Sequence, residues 1–254
     1  MSIRHLAEKF SRTFIFKRRL PEEFGRVELY VTPGAALKYW NINLSNIDPM
    51  LLRIAKQYIS TGYNVWDIGA NVGLFSVAAA YQAGKKGSVL SIEADTWLVG
   101  LLRRTSIINK HNMTIKVLPV AVSDTVGIDT FSIAERGRAA SALKNVPEST
   151  QMGGIRETQL VPTVSLDWLL DYFPSPDFIK IDVEGAELKV LIGAEKILTN
   201  IRPVILCEIN KQNISEVTKL LSTHGYKFYD AEKELPEDNE VMSGVYNTLA
   251  IFKS

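Results

Sequence analysis

Residues 65–73, Val-Trp-Asp-Ile-Gly-Ala-Asn-Val-Gly, lead from one apolar run into another through a turn that carries two glycines and two polar side chains. This pattern predicts a buried strand, a tight turn and a helix. The dinucleotide fingerprint G-x-G-x-x-G needs a third glycine so that helix and strand can close above a pyrophosphate. Here that position is Leu74, and the spacing is Asp67-x-Gly69-x-Asn71-x-Gly73. Asp67, an acid at the strand end, would repel a pyrophosphate and suits a cationic ligand.

S-adenosylmethionine fits that requirement, because it carries an ammonium and a sulfonium and no phosphate. A second acid supports an adenosine ligand. Ser88-Val89-Leu90-Ser91-Ile92 reads as a strand and ends in Glu93, roughly 20 residues after the glycine turn, where an acid accepts hydrogen bonds from ribose hydroxyls. NAD shares that ribose, so the choice between the two cofactors rests on the turn.

A chain of 254 residues with 46% hydrophobic and 22% charged content has enough core for one large domain. The formal charge of +1 gives no global reason to expect a nucleic-acid partner. Cys207 is the only cysteine, which rules out an intrachain disulfide or a cysteine-cluster zinc site and suits a cytoplasmic location. No apolar stretch approaches the ~20 residues of a membrane span. The first twenty residues differ from the rest: Arg4, Lys9, Arg12, Lys17, Arg18 and Arg19 face only Glu8, and Ile3, Leu6, Phe10 and Phe14 recur at roughly helical spacing. They predict a basic amphipathic helix that packs on the domain with a solvated face, the alternative being peripheral contact with an anionic membrane or a partner. The expected division is a basic helix and cap segment over 1–58 and a cofactor-binding domain over 59–254.

From residue 60 onward strand and helix signals alternate, as in a parallel sheet covered on both faces. Strands are expected near 64–68, 88–92, 114–119, 178–182 and 203–208, and helices near 72–83, 96–109, 187–199 and 214–223. Tyr226–Tyr229 and Val245–Phe252 suit a terminal β-hairpin. Between Val126 and Leu166 the alternation fails. Residues 133–158, with their glycines, Pro147 and polar side chains, read as a long loop that forms part of the substrate site, the alternative being plain disorder.

The other dense motif is Lys180-Ile181-Asp182-Val183-Glu184-Gly185-Ala186-Glu187, at the C-terminal end of an apolar strand, the edge where open α/β sheets bind ligands. Four ionisable side chains so close together need pairing or a function. Glu187 suits the first turn of the following helix, Gly185 suits a turn, and Lys180 can pair with a neighbouring acid. With Asp67–Gly73, Ile92-Glu93, Ala121-Val122-Ser123-Asp124, Thr163–Asp167 and Cys207-Glu208-Ile209, this motif stands in the order seen in FkbM-type S-adenosylmethionine-dependent methyltransferases, which the chain resembles over about residues 60–252. One departure is Glu93-Ala94-Asp95, where many members have Glu-Pro.

The resemblance implies a Rossmann-like class I methyltransferase fold: a mostly parallel seven-stranded sheet with helices on both faces and a C-terminal antiparallel strand. It also implies O-methylation of a hydroxyl on a sugar, glycan or polyketide-type product. By position, Asp67, Gly69, Ala70, Asn71 and Gly73 would line the methionine end of the cofactor. Glu93 and Ala94 would meet the ribose, Val122, Ser123 and Asp124 would border the adenine, and Asp182 would sit beside the methyl group. An alcohol needs help losing its proton. Of the three histidines, His111 and His224 sit near helix ends and read as structural, which leaves Asp182, Glu184 and Glu208, with Lys180 beside them. One of these acids would accept the proton, or two would bind a divalent cation that acidifies the hydroxyl. A nicotinamide-dependent oxidoreductase and a non-catalytic binding module on the same fold are the rival functions. A nitrogen or protein acceptor is a third, since Arg136, Arg138, Lys144 and Arg156 suit an acidic acceptor.

Overall fold

The computed structural model describes residues 14–135, 137–143, 154–234 and 238–253. The chain opens with a hairpin, β1 (Phe16–Arg19) and β2 (Glu28–Val31), followed by two 3-10 turns, Leu37–Trp40 and Leu44–Asn46, and helix α1 (Pro49–Tyr58). Next come β3 (Asn64–Ile68), α2 (Leu74–Ala83), β4 (Ser88–Ile92), α3 (Thr96–Asn109) and β5 (Ile115–Leu118). Four strands form a separate insertion: β6 (Ala121–Val122), β7 (Gly127–Ala134), β8 (Ala142–Leu143) and β9 (Ile155–Val164). The chain then runs through α4 (Leu166–Leu169), β10 (Phe178–Ile181), α5 (Glu187–Ile192), β11 (Val204–Glu208), α6 (Ile214–Thr223), β12 (Tyr226–Asp230), β13 (Glu240–Val241) and β14 (Asn247–Phe252).

The main sheet has the order β13-β12-β14-β11-β10-β3-β4-β5. Strands β5, β4, β3, β10 and β11 are parallel neighbours, and β14 enters antiparallel between β11 and β12. This is the expected α/β architecture with one strand more than seven, the extra being the two-residue β13 on the outer edge. The chain leaves β3 first toward β4 and later returns on its other side as β10. The crevice at the carboxyl ends of β3, β4 and β10 is therefore a topological switch point, where such sheets bind ligands.

Alternate strand residues feed two cores. Val65, Val89, Phe178 and Leu206 face one side with Leu74, Phe75 and Val77 of α2, while Trp66, Leu90, Ile179 and Ile205 face the other with Val190, Leu191 and Val217. Each such side chain contributes roughly 1.5–3 kcal/mol by leaving water. Leu20, Phe24, Leu29 and Val31 of the N-terminal segment belong to the first core, so the cap is built onto the α2 face.

Three expectations change. Residues 133–158 are not one loop: β7 and β9 pair antiparallel from Gly127↔Thr163 to Ala134↔Ile155 in a four-stranded sheet. Much of this ribbon stands in solvent, with Ile128 and Leu160 exposed, so it lacks the apolar alternation that marks a half-buried strand. The helix expected over 187–199 stops at Ile192 and resumes as a π-helical turn, Ile197–Ile201. Gly193 lies between them, and a Cβ there would come 2.5 Å from the Ser123 carbonyl oxygen, so close backbone approach interrupts the helix. The basic N-terminal pattern ends in β1 and not in a helix, while its first thirteen residues lie outside the described part. Among the described residues no helix is long and apolar enough to cross a membrane.

Candidate active site

The turn after β3 is shaped by its neighbours. The Gly69 and Ala70 N–H groups both donate to the Ile92 carbonyl at 3.0 Å, which ties the turn to the end of β4. Gly69 has φ +73°, and a Cβ there would lie 1.8 Å from the Asp182 carbonyl oxygen, so the ends of β3 and β10 approach as only glycine permits. Asn71 also takes a left-handed conformation, φ +54°, which asparagine tolerates better than most residues. Its N–H donates to Glu93 Oε2 at 2.8 Å, and the Asp95 N–H donates to Oε1 at 2.8 Å. Glu93 is buried, and burial pushes its carboxyl up to about 7 against those hydrogen bonds.

These residues wall a cleft that opens to solvent. Gly69, Asn71, Glu93, Ala94, Val122, Asp182 and Glu184 line it, so the structure brings together some of the expected cofactor residues and two of the expected catalytic acids. Asp67, Ala70, Gly73, Ser123 and Asp124 do not line it. Ser123 is buried and donates to Asp124 Oδ1 at 2.9 Å, while Asp124 is exposed. Gly73 caps α2.

Asp67 lies fully buried behind the wall. Ser76 Oγ–H donates to its Oδ2 at 2.5 Å, and Ser91 Oγ–H donates to Ser76 Oγ at 2.8 Å. Lys180, also buried, places its ammonium 3.5 Å from Asp67 Oδ1 and 3.2 Å from Asp182 Oδ2. Burial pulls the Lys180 ammonium down, but the Asp182 and Asp67 carboxylates outweigh it and hold the group above the usual lysine range. Lys180 is therefore a cation that orients Asp182 from behind.

At the far end of the cleft, one carboxylate oxygen from each of Asp182, Glu184 and Glu208 lies within 4.8 Å of the others. β10 and β11 are adjacent parallel strands in register, Ile181 beside Cys207, so Asp182 and Glu208 leave the sheet side by side. Glu184 follows in a tight turn with φ +50°. Burial, then the charges of Asp182 and Glu208, push Glu184 up to about 8. Burial and Asp182 push Glu208 up to about 7, opposed by the Tyr246 hydroxyl that donates to it and by the Lys180 and Lys38 charges. Glu187 is 1% exposed, and does more than complement a helix end: it accepts from the Gly185 N–H at 2.5 Å and from Asn213 Nδ2 at 2.7 Å. Asn213 also donates to the Gly185 carbonyl at 2.8 Å. This clamp holds the turn that carries Glu184.

Of the wall residues that the insertion supplies beyond β6, only Arg138 was singled out in the sequence, and it faces an acid of this chain rather than an acceptor. Phe131, Arg138, Ser141 and Leu143 enter the cleft from the insertion. Arg138 Nη1 donates to both Asp95 oxygens, at 2.7 and 2.5 Å, with Asp95 fully buried. Asp95 also caps α3 by accepting from the Trp97 and Leu98 N–H groups. Asp before a helical run is a readable capping signal; its pairing with an arginine 43 positions away is not. Of the other basic candidates, Arg136 and Lys144 lie outside the described residues. So does His5. His111 is exposed, and His224 sits 3.1 Å from Glu195 and 2.9 Å from the Leu220 carbonyl, on the helix end where it was expected to be structural.

Comparison with known proteins places the chain in a family. Residues 67–228 match the methyltransferase FkbM domain. A hexuronic acid methyltransferase, AglP of Haloferax volcanii, is 25% identical over 185 residues, covering 72% of this chain and 71% of that protein. Among solved structures, the methyltransferase FkbM of Methylobacillus flagellatus aligns at 16% identity and a TM-score of 0.48, covering 77% of this chain and 44% of that one. A tRNA (uracil-54, C5)-methyltransferase of Pyrococcus abyssi aligns at 14% identity and a TM-score of 0.49, covering 93% and 43%. The chain thus spans less than half the length of either of these two structural relatives. With its turn, its Lys180–Glu187 motif and its cleft inside the matched span, this chain belongs to the FkbM methyltransferase domain family.

Proposed function

We propose that the protein moves the methyl group of S-adenosylmethionine to a hydroxyl oxygen of a sugar or glycan, with Glu184 as the proton acceptor. One observation carries this reading: a single cleft is lined by a ribose-type carboxylate, Glu93, and by Asp182 and Glu184, two of three carboxylates that lie within 4.8 Å of one another. The name of the hexuronic acid relative favours a sugar over a nitrogen or protein acceptor.

The residues suit the cofactor. Each Glu93 oxygen already accepts one N–H and keeps a lone pair for a ribose hydroxyl. Asn71 Oδ1 is buried with no hydrogen-bond partner among the described residues, the kind of orphan that a ligand donor such as an ammonium satisfies. Ala94, Leu98, Val122 and Phe131 offer apolar walls for a flat base. When bound, the cofactor supplies an electrophilic methyl carbon. The chain's own contribution is alignment, since near-attack geometry supplies much of the acceleration in such displacements, and removal of the hydroxyl proton. A base works best with a pKa near the operating pH, which fits Glu184 in the cleft wall. Lys180 and Asp182 hold the local charge in place, and Glu208 raises Glu184.

A second reading has the carboxylate cluster bind a divalent cation that acidifies the hydroxyl, favoured by the mutual approach of three candidate ligand atoms. The test is transfer of a labelled methyl group to uronic acids, neutral sugars and glycans, by wild type and Glu184→Gln, with and without chelator. Turnover that chelator leaves intact and Glu184→Gln reduces supports the base reading. Loss with chelator and recovery with added cation supports the metal reading. Calorimetric binding of S-adenosylhomocysteine with no methyl transfer to any acceptor would favour a binding module, and binding of NADH instead would revive the oxidoreductase.

A further inference from the structure

The chain has a sharply uneven charge distribution. The first twenty residues carry six Lys or Arg against one Glu, and the remaining chain carries 23 against 27 Asp or Glu. The basic stretch of sequence runs into β1, and large apolar side chains stand exposed there. Phe14 and Phe16 stack at 6.2 Å, and Trp40 packs on both, at 5.7 and 5.3 Å. Trp40 remains 44% exposed, Ile42 80% and Ile15 37%. Arg18 lies over the Phe16 ring at 4.4 Å and donates to the Asn41 carbonyl at 3.2 Å, so its cation sits within the patch. Beside it, Lys17 and Arg19 share one acid, Glu28, which leaves the hairpin net cationic.

We propose that this aromatic and aliphatic patch on β1 and the 3-10 turn beside it is a docking surface for an anionic lipid membrane. Tryptophan and phenylalanine with neighbouring arginine and lysine are the side chains that settle at a membrane interface, rings at headgroup depth and cations toward anionic lipid. The charge asymmetry selects the occupant: the basic end is drawn to an anionic surface while the acidic body is held off it. Contact would be peripheral, through exposed side chains of a folded hairpin. The proposal does not depend on the catalytic reading, because lipid binding is measured without cofactor or acceptor.

The experiment is co-sedimentation of the full chain with vesicles of phosphatidylcholine alone and of phosphatidylcholine with 30% phosphatidylglycerol (about a third anionic lipid, enough to give a negative surface potential). It is combined with quenching of Trp40 by brominated acyl chains. The expected result is binding to the anionic vesicles only, weakened by salt, with quenching that is lost in Trp40→Phe. Ile42→Asp, at an exposed position that leaves the core untouched, should weaken binding at least tenfold while thermal unfolding is unchanged. Equal binding to both vesicle types, or none, overturns the proposal. So does binding that Ile42→Asp leaves intact with Trp40 unquenched, which would mean that the basic end binds alone or that the chain's own N-terminal residues cover the patch.

Discussion

Glu93 and Glu184 are both carboxylates that burial holds above their ordinary range, and each should make a different step depend on pH, binding for Glu93 and turnover for Glu184, with the ionised form favoured in both. Ribose hydroxyls donate to Glu93 and so favour its ionised form. With its carboxyl at about 7 in the unliganded protein, S-adenosylhomocysteine should bind more weakly below pH 7 and release protons on binding near pH 7. Calorimetry in buffers of different ionisation enthalpy reads that release, and a pH-independent affinity would remove Glu93 from the ribose. Glu184, at about 8, should give a methyl-transfer rate that rises through pH 7–8, and Glu184→Gln should lower turnover by about 100-fold or more, as loss of a general base does. The same group predicts a stability effect of known sign. A carboxyl raised in the folded state binds its proton more tightly there than when unfolded, so its contribution to stability is fully present below the ordinary carboxylate range, is lost as pH rises from there through about 8, and changes no further above that. Glu184→Gln should therefore melt higher than wild type at pH 9 and close to it at pH 5, a difference that differential scanning calorimetry resolves.

The strand-turn-helix elements of the main sheet were legible because each carries its own local signal: apolar runs at β3, β4, β10 and β11, with a glycine or acid at each functional end. The insertion was not. β9 reads Ile-Arg-Glu-Thr-Gln-Leu-Val-Pro-Thr-Val, and with both faces partly in solvent no period of two marks it as a strand. What joins it to the site is the Arg138–Asp95 pair, which spans two sheets. Asp95 does three things there: it caps α3, pairs with Arg138, and lends its N–H to Glu93. Breaking a buried pair from one side costs about 3–5 kcal/mol. Asp95→Ala, which leaves the arginine buried and also removes a cap worth about 1 kcal/mol, should thus lower the melting temperature more than Arg138→Ala. Both should weaken S-adenosylhomocysteine, since the loop that carries Glu93 loses its anchor. Thermal shift with and without ligand measures both effects, and equal losses in the two variants would mean that the cap contributes nothing.

At the scale of the whole molecule, the N-terminal segment and the cofactor-binding region share a core. Phe24 is fully buried and meets the Tyr81 ring of α2 at 6.1 Å, and the Tyr30 N–H donates to Thr105 Oγ1 of α3 at 3.0 Å. A fragment of residues 59–254 would expose that face of α2, and we expect it to aggregate or to bind a hydrophobic dye, whereas the full chain stays monodisperse in gel filtration. Phe24→Ala in the full chain should cost about 3–5 kcal/mol, read as a lower denaturant midpoint.

Periodicity and end residues were enough to find the strands of the sheet, the glycine turn after β3 and the acids Glu93, Asp182 and Glu208 at strand ends, because helices and strands repeat at intervals that a local window contains. Folding alone decided which acids face the cleft, since that depends on strand register: Asp67 and Asp182 both follow apolar runs, but Asp67 turns inward to Ser76 and Lys180 while Asp182 turns into the cleft. Nor could a local window show that Glu187 clamps a turn through Asn213, or that Arg138 closes the wall over Glu93. Those contacts join residues 26 and 43 positions apart, and only the packing of elements distant in the chain brings such partners within hydrogen-bonding distance.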